Sequence, residues 1–182
     1  MSKSPWRTLK SEIVYSNKWM KLIKNDVIHP NGTNGEYTYL DAIPGVVVIA
    51  YEDNSIFIIR EFKYPINKWI WTLITGGINE GQNPLDIAKN ELKEEANIIA
   101  NKWLDLGNFY TAPGIEITDN YTYLATELSV GEFHTDGEGN EAINRIQKFN
   151  LDEIKNMITR GDIENGLALA ALMKFFNYLE KN

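Results

Sequence analysis

The clearest hydrophobic pattern lies before the middle of the chain. Gly45–Tyr51 is an unbroken apolar run, Asp53-Asn54 supplies a turn, and Ser55–Phe62 is a second apolar run. Runs of that length bounded by turn residues read as buried strands, and the short break between them predicts a central hairpin. Ahead of it, Glu12–Tyr15, Trp19–Ile28 and Glu36–Asp41 read as strands, with Pro30-Asn31-Gly32 as a turn. Trp69–Leu73 predicts a further strand that runs into two glycines. Beyond a short acidic helix come strands near Trp103–Tyr110 and Tyr121–Leu128, a polar glycine-bearing loop over Gly131–Glu141, and a strand over Arg145–Asn150. Two helices close the chain, Leu151–Thr159 and Ile163–Leu179. The second carries Leu167, Ala171, Leu172 and Phe175 along one face. Strands with helices among and after them predict an α/β/α sandwich with a mixed sheet and an N-terminal antiparallel strand extension.

Composition narrows the class. The 182 residues are 43% hydrophobic and 12% aromatic, which excludes a disordered chain and suits one domain with a short extra element. There is no cysteine, so no disulfide framework and no thiolate chemistry, and two histidines are too few for a zinc site. The net charge of -7 argues against a nucleic-acid backbone as partner. A nucleotide ligand stays open, because a bound cation inverts the local field. Met1–Trp6 lacks the apolar run of a signal peptide and no segment suits a bilayer, so a cytoplasmic protein without membrane contact is expected.

The candidate chemistry sits in Gly76-Gly77-Ile78-Asn79-Glu80-Gly81-Gln82-Asn83-Pro84 and the following Asn90–Glu95. Asn83 is placed to cap a helix and Pro84 suits its first position. Glu91, Glu94 and Glu95 stand at i, i+3 and i+4, which puts three carboxylates on one side. Like charges at that spacing destabilise a helix, and a hard cation with oxygen ligands reverses the sign. The cluster therefore reads as a magnesium or manganese site. A plain solvated acidic face is the alternative, and the preceding glycines, which let backbone and phosphate approach closely, weigh against it.

Residues Gly76–Ile98 resemble the Nudix box, whose pattern is G, five residues, E, seven residues, RE, an aliphatic, any residue, EE, any residue, G, an aliphatic. On that pattern Gly76 is the first glycine, Glu91 the glutamate of the RE pair, Leu92 the aliphatic, Glu94-Glu95 the EE pair, and Ile98 the last position. Three positions differ. Gln82 replaces the first glutamate, Asn90 the arginine and Asn97 the late glycine. Asn tolerates the left-handed conformation a helix end needs. Gln82 and Asn90 read as one paired change, from a charged pair to a neutral one that still hydrogen-bonds.

The likeness continues outside the box and is similar to the ADP-ribose pyrophosphatase branch. Pro113, fifteen residues after Ile98, lies in Ala112-Pro113-Gly114. Arg60-Glu61-Phe62-Lys63-Tyr64-Pro65 looks like an RQYRYP segment, and Gly161–Gly166 looks like the branch's ending. Thr72-Leu73-Ile74-Thr75-Gly76 stands where E-L-P-A-G is common, and Thr118 where a glutamate is frequent. The resemblance implies residues 1–44 as a dimerising extension and 45–182 as the hydrolase domain. It implies cleavage of the diphosphate bond of ADP-ribose or a related nucleoside diphosphate sugar. The metal ligands it points to are Glu91, Glu94, Glu95, the carbonyl of Thr75, and Glu141. Glu141 or Glu138 is the implied base, with Glu138 equally read as a solvated loop charge. Lys63 and Arg60, with Gly76 and Gly77, are implied at the phosphates. Trp19 or Tyr15 is implied at the base, unless these aromatics pack in the core. The departures leave a second reading, a catalytically weakened module that binds a nucleotide sugar as a sensor.

Overall fold

The computed structural model describes residues 4–132 and 142–182. They form two compact units, one made of the residues up to Pro44 with Tyr110–Asp119, the other of Gly45–Phe109 with Asn120–Asn182. The first unit is an antiparallel meander of β1 (Arg7–Ser16), β2 (Met20–Ile28) and β3 (Asn34–Ala42). Local polar contacts close its turns. Asn17 Oδ1 accepts from the N–H groups of Trp19 and Met20 at 2.8 and 2.9 Å, and Asn31 Oδ1 accepts from Thr33 N. The segment Tyr110–Asp119 docks on this unit. Leu40 N donates to Ile115 O, Ile117 N donates to Leu40 O, and the Tyr37 hydroxyl donates to Gly114 O at 2.7 Å. β1 is exposed along its whole length. It therefore lacks the in–out alternation a sequence reader looks for, and it begins five residues before the predicted Glu12.

The second unit holds β4 (Gly45–Glu52), β5 (Ser55–Lys63), β6 (Lys68–Thr72), β7 (Ile74–Gly77), α1 (Pro84–Ala96), β8 (Ile98–Tyr110), β9 (Asp119–Val130), β10 (Ile143–Asn150), α2 (Leu151–Arg160) and α3 (Gly166–Leu179). The sheet runs β10-β5-β4-β9-β8, with β6 added to β5 and β7 to β4. The predicted hairpin is present, and Asp53 and Asn54 both take positive φ, as a two-residue hairpin turn requires. Its strands pair over only Ala50–Glu52. Beyond that they part, β4 taking β7 and β5 taking β6 as neighbours. β4 and β9 are parallel while β5 and β7 are antiparallel to β4, so the sheet is mixed.

Alternation along β4 sends Val46, Val48 and Ala50 to the α1 face and Val47 and Ile49 to the α2/α3 face. α1 adds Ile87, Ala88, Leu92 and Ala96 to the first cluster, and α3 adds Ala168, Ala171, Leu172 and Phe175 to the second. Burial on both sheet faces explains why these strands read as continuous apolar runs. The arrangement is the expected α/β/α sandwich. Several boundaries differ from expectation, β8 starting at Ile98 rather than near Trp103 among them. Ile74–Gly77 is a strand despite its glycines. α3 starts at Gly166 rather than Ile163, because Gly161 ends α2 in the left-handed region and Asn165 caps the Leu167 N–H at 3.0 Å. Among the described residues no helix is long and apolar enough to cross a membrane.

Candidate active site

The site is built where α1 meets β7. Asn83 caps the helix as predicted, its Oδ1 accepting from Leu85 N at 2.9 Å and Asp86 N at 3.4 Å, with Pro84 at the first position. At the other end Asn97 takes φ 50°, so the asparagine does the work expected of a glycine there. Its side chain adds something a glycine lacks. Asn97 Nδ2 donates to Glu132 O at 2.7 Å, and Gly131 N donates to Asn97 O at 2.9 Å.

The three glutamates separate into an inward pair and an outlier. Glu95 is only 7% exposed and its Oε2 accepts from Thr75 N at 3.3 Å. Glu91 is half-buried, and its carboxylate fills the space a side chain at Gly76 would occupy. Glu94 is exposed. Helix geometry explains the split, because about 100° per residue keeps Glu91 and Glu95 within about 40° of each other and swings Glu94 away. β7 delivers the backbone side of the site, with Gly76 opposite Val46 and Thr75 opposite Val47 on β4. Gly76 thus acts here by leaving room for Glu91 beside an ordinary strand, and the left-handed backbone before the helix falls at Gly81, where φ is 81°.

Among the described residues no three histidine or acidic side chains converge as a ready metal group. The donor chemistry still suits a hard divalent cation. The inward pair is oxygen-only, and one member is buried at the end of a helix that a cation would stabilise. Glu138 and Glu141 lie outside the described residues, as does the rest of 133–141.

Lys63 is half-buried and its ammonium lies 2.5 Å from Glu61 Oε1. Arg60 lies 5.7 Å from the Trp69 ring centroid. Trp19 and Tyr15 are exposed in the first unit rather than packed in a core; the Lys18 ammonium sits 4.3 Å over the Trp19 ring, and Asn17 Nδ2 donates to the Tyr15 hydroxyl. Burial, with Asp105 and Tyr121 adding, pushes the Tyr123 phenol above its usual range on the α1 side of the sheet, so it stays neutral there.

The expected hydrogen bond between Gln82 and Asn90 does not form among the described residues. Gln82 Oε1 accepts from Asn79 N at 2.7 Å and Asn90 is an exposed residue not bonded to it. A three-residue closure costs less chain entropy than reaching across the helix turn, and it wins. Thr72 is buried, and its hydroxyl accepts from Asn165 Nδ2 at 2.9 Å, which ties β6 to the cap of α3.

Two site neighbours escaped the sequence reading. Glu61 is 5% exposed on β5, and its signal was a charge at core parity, in step with Phe57 and Ile59. Asn120 is 4% exposed and pairs with Gly45, where a Cβ would lie 2.8 Å from its Oδ1. Nothing in its local sequence marked it.

Residues 41–171 match the model of the NUDIX domain, and residues 6–40 match that of the nucleoside diphosphate sugar hydrolase N-terminal domain. The chain is 28% identical over 155 residues to an ADP-ribose pyrophosphatase of Bacillus subtilis, covering 85% of this chain and 84% of that protein. It is 27% identical to an ADP-ribose pyrophosphatase of Mycobacterium tuberculosis, over 95% of this chain and 84% of that one. A Bacillus methanolicus protein named methanol dehydrogenase activator is 28% identical, over 91% and 90%. A solved structure described as an ADP compounds hydrolase shares the fold, with a TM-score of 0.82 at 19% identity, covering 100% of this chain and 97% of that one. The NUDIX match spans well over half of the chain and includes β7 and α1, and the chain belongs to the Nudix family.

Proposed function

We propose that the protein hydrolyses a nucleoside diphosphate sugar, ADP-ribose first among them, to a nucleoside monophosphate and a sugar phosphate. The carrying observation is the inward pair of carboxylates, Glu95 on Thr75 N and Glu91 against Gly76. Glu91, Glu95 and the carbonyl of Thr75 would hold a divalent cation, magnesium or manganese, with Glu94 at the exposed rim. The bound cation supplies Lewis-acid polarisation and neutralises charge at the phosphoryl group. The chain supplies position. The rigid β7–α1 contact fixes two carboxylates against backbone, and Gly76 and Gly77 leave the diphosphate a close approach. Lys63, in step with Phe57 and Ile59 on the α1 side, offers positive charge beside it, whereas Arg60 is turned to the opposite face of the sheet against Trp69. Water adds to one phosphorus, the bridging P–O bond breaks, and the water's proton passes to a carboxylate, with Glu141 the first candidate and Glu138 the second.

The first unit supports a further proposal about assembly. Leu9, Ile13, Val14, Tyr15, Trp19 and Met20 are all exposed along β1, the turn after it and the first residue of β2. A cytoplasmic homodimer in which residues 1–44, Trp19 included, complete the partner's base site would cover them. Light scattering on the full chain should report a dimer, and deletion before Gly45 should leave a monomer or an aggregate with little activity. A fully active full-length monomer at micromolar concentration would exclude the shared site.

Assay of diphosphate cleavage across a panel of nucleoside diphosphate sugars, with magnesium and with manganese, tests the activity. Turnover that requires the cation supports the hydrolase. Binding across the panel without turnover would put the sensor reading in its place.

A further inference from the structure

Glu61 is the buried charge that the site so far leaves unused. Its side chain is 7% exposed, and Oε1 holds the Lys63 ammonium at 2.5 Å. Oε2 is shut off from solvent and has no hydrogen-bond partner among the described residues. A buried carboxylate oxygen left unpaired is costly, and native proteins keep such atoms rarely and for cause. Strand parity fixes its direction. Phe57 and Ile59 face the α1 side, so Glu61 does too. Topology fixes its end of the sheet. β5 and β7 run antiparallel to β4, so the Lys63 end of β5, the Gly77 end of β7 and the Gly45 start of β4 share one edge. Glu61 therefore lies on the same face and toward the same end of the sheet as the strand that carries Thr75 and Gly76.

A carboxylate there cannot face a diphosphate directly, because like charges repel. It suits a neutral donor attached to one, and the hydroxyls of a sugar are such donors. Glutamate is acceptor-only, whereas glutamine in the same place would offer a donor as well. We propose that Glu61 is a substrate-contacting residue, with Oε1 holding Lys63 toward the diphosphate and Oε2 accepting a hydrogen bond from a hydroxyl of the sugar that the diphosphate carries. This rests on the nucleoside diphosphate sugar reading above.

The test is steady-state kinetics of the full-length protein with magnesium, on ADP-ribose and ADP-glucose and on analogues lacking single hydroxyls of the terminal sugar. Glu61→Gln should raise KM about tenfold on the intact sugar, with kcat within twofold. Manganese affinity by calorimetry should be unchanged. On one deoxy analogue the gap between variant and parent should narrow, since the hydroxyl that Glu61 reads is gone and only the loosened Lys63 still separates them. The unmodified protein gives the same answer from the substrate side, because that analogue should cost it about tenfold in KM. A KM for Glu61→Gln that is unchanged, or raised equally on every analogue, overturns the contact, as does an unmodified protein indifferent to every deoxy substitution. If the unmodified protein cleaves these sugars and Glu61→Gln matches it, only Glu61 is misassigned. If it cleaves none of them, the nucleotide-sugar reading falls and the contact falls with it.

Discussion

Helices α1 and α2 are built alike and carry their acids differently. Each has an asparagine N-cap and a left-handed residue at its end, Asn97 or Gly161. In α2 the acids Asp152 and Glu153 sit in the first turn, and Glu153 completes a capping box with Asn150, with bonds of 2.9 Å in both directions. Charge and dipole agree there, and the acids need no explanation beyond folding. In α1 the acids Glu91, Glu94 and Glu95 occupy the last two turns, where the dipole disfavours negative charge, and Glu95 is buried as well. Folding alone would not place them so. The contrast separates acids that make a helix from acids that a helix is made to present.

The sharpest way to break the contrast is Glu95→Gln. Activity should fall by about three orders of magnitude, near 4 kcal/mol of transition-state stabilisation, while the melting temperature holds or rises. Manganese binding by calorimetry should weaken in parallel. Normal turnover in a folded Glu95→Gln would place the acids of α1 with those of α2.

Gly76→Ala comes next. The added Cβ collides with the Glu91 carboxylate, so Glu91 must move by about an ångström and turnover should drop about a hundredfold. A crystal structure of the variant should show Glu91 displaced. An unmoved Glu91 with full activity would mean the close approach is idle.

Asn150→Ala tests the other helix. It should cost about 1 kcal/mol, or about 2–4 °C in melting temperature, with kcat and KM intact. A fall in kcat would show that α2 also serves the site. The smallest effect belongs to Gln82→Glu with Asn90→Arg. Since Gln82 bonds Asn79, the two changes should be additive on melting temperature within about 0.5 kcal/mol. A larger coupling energy would show that the two side chains meet in solution.

How far the sequence revealed all this depends on the kind of signal. α1 was legible because Asn83-Pro84 and the glutamate spacing are local facts, and the β4–β5 hairpin because burial on both faces leaves continuous apolar runs. β7 was hidden. Gly76-Gly77 carries no strand-forming side chain, and only the pairing with Gly45 and Val46 makes it a strand. Glu61 was hidden for a related reason. A charge at the end of an apolar run reads as the strand reaching the surface, and although Glu61 keeps step with Phe57 and Ile59, β6 and β10 flank it from parts of the chain no window of β5 contains. The inequality between Glu94 and its two neighbours follows from helix phase once the inward direction is known, and that direction is set by packing on β7.

The contact between Gly76 and Glu91 also sets an order on how this site can change through mutation. A side chain at position 76 and a full-length carboxylate at 91 exclude one another, fifteen residues apart in sequence and touching in space. Neither position drifts freely while the other is kept. A shortened residue at 91 opens room for a larger one at 76, and the reverse step is closed, because a lineage that fills 76 first has displaced the carboxylate already. Once position 76 has been filled behind a shortened 91, the carboxylate can return only after 76 has gone back to glycine, so this glycine sets the order in which a lost activity is restored.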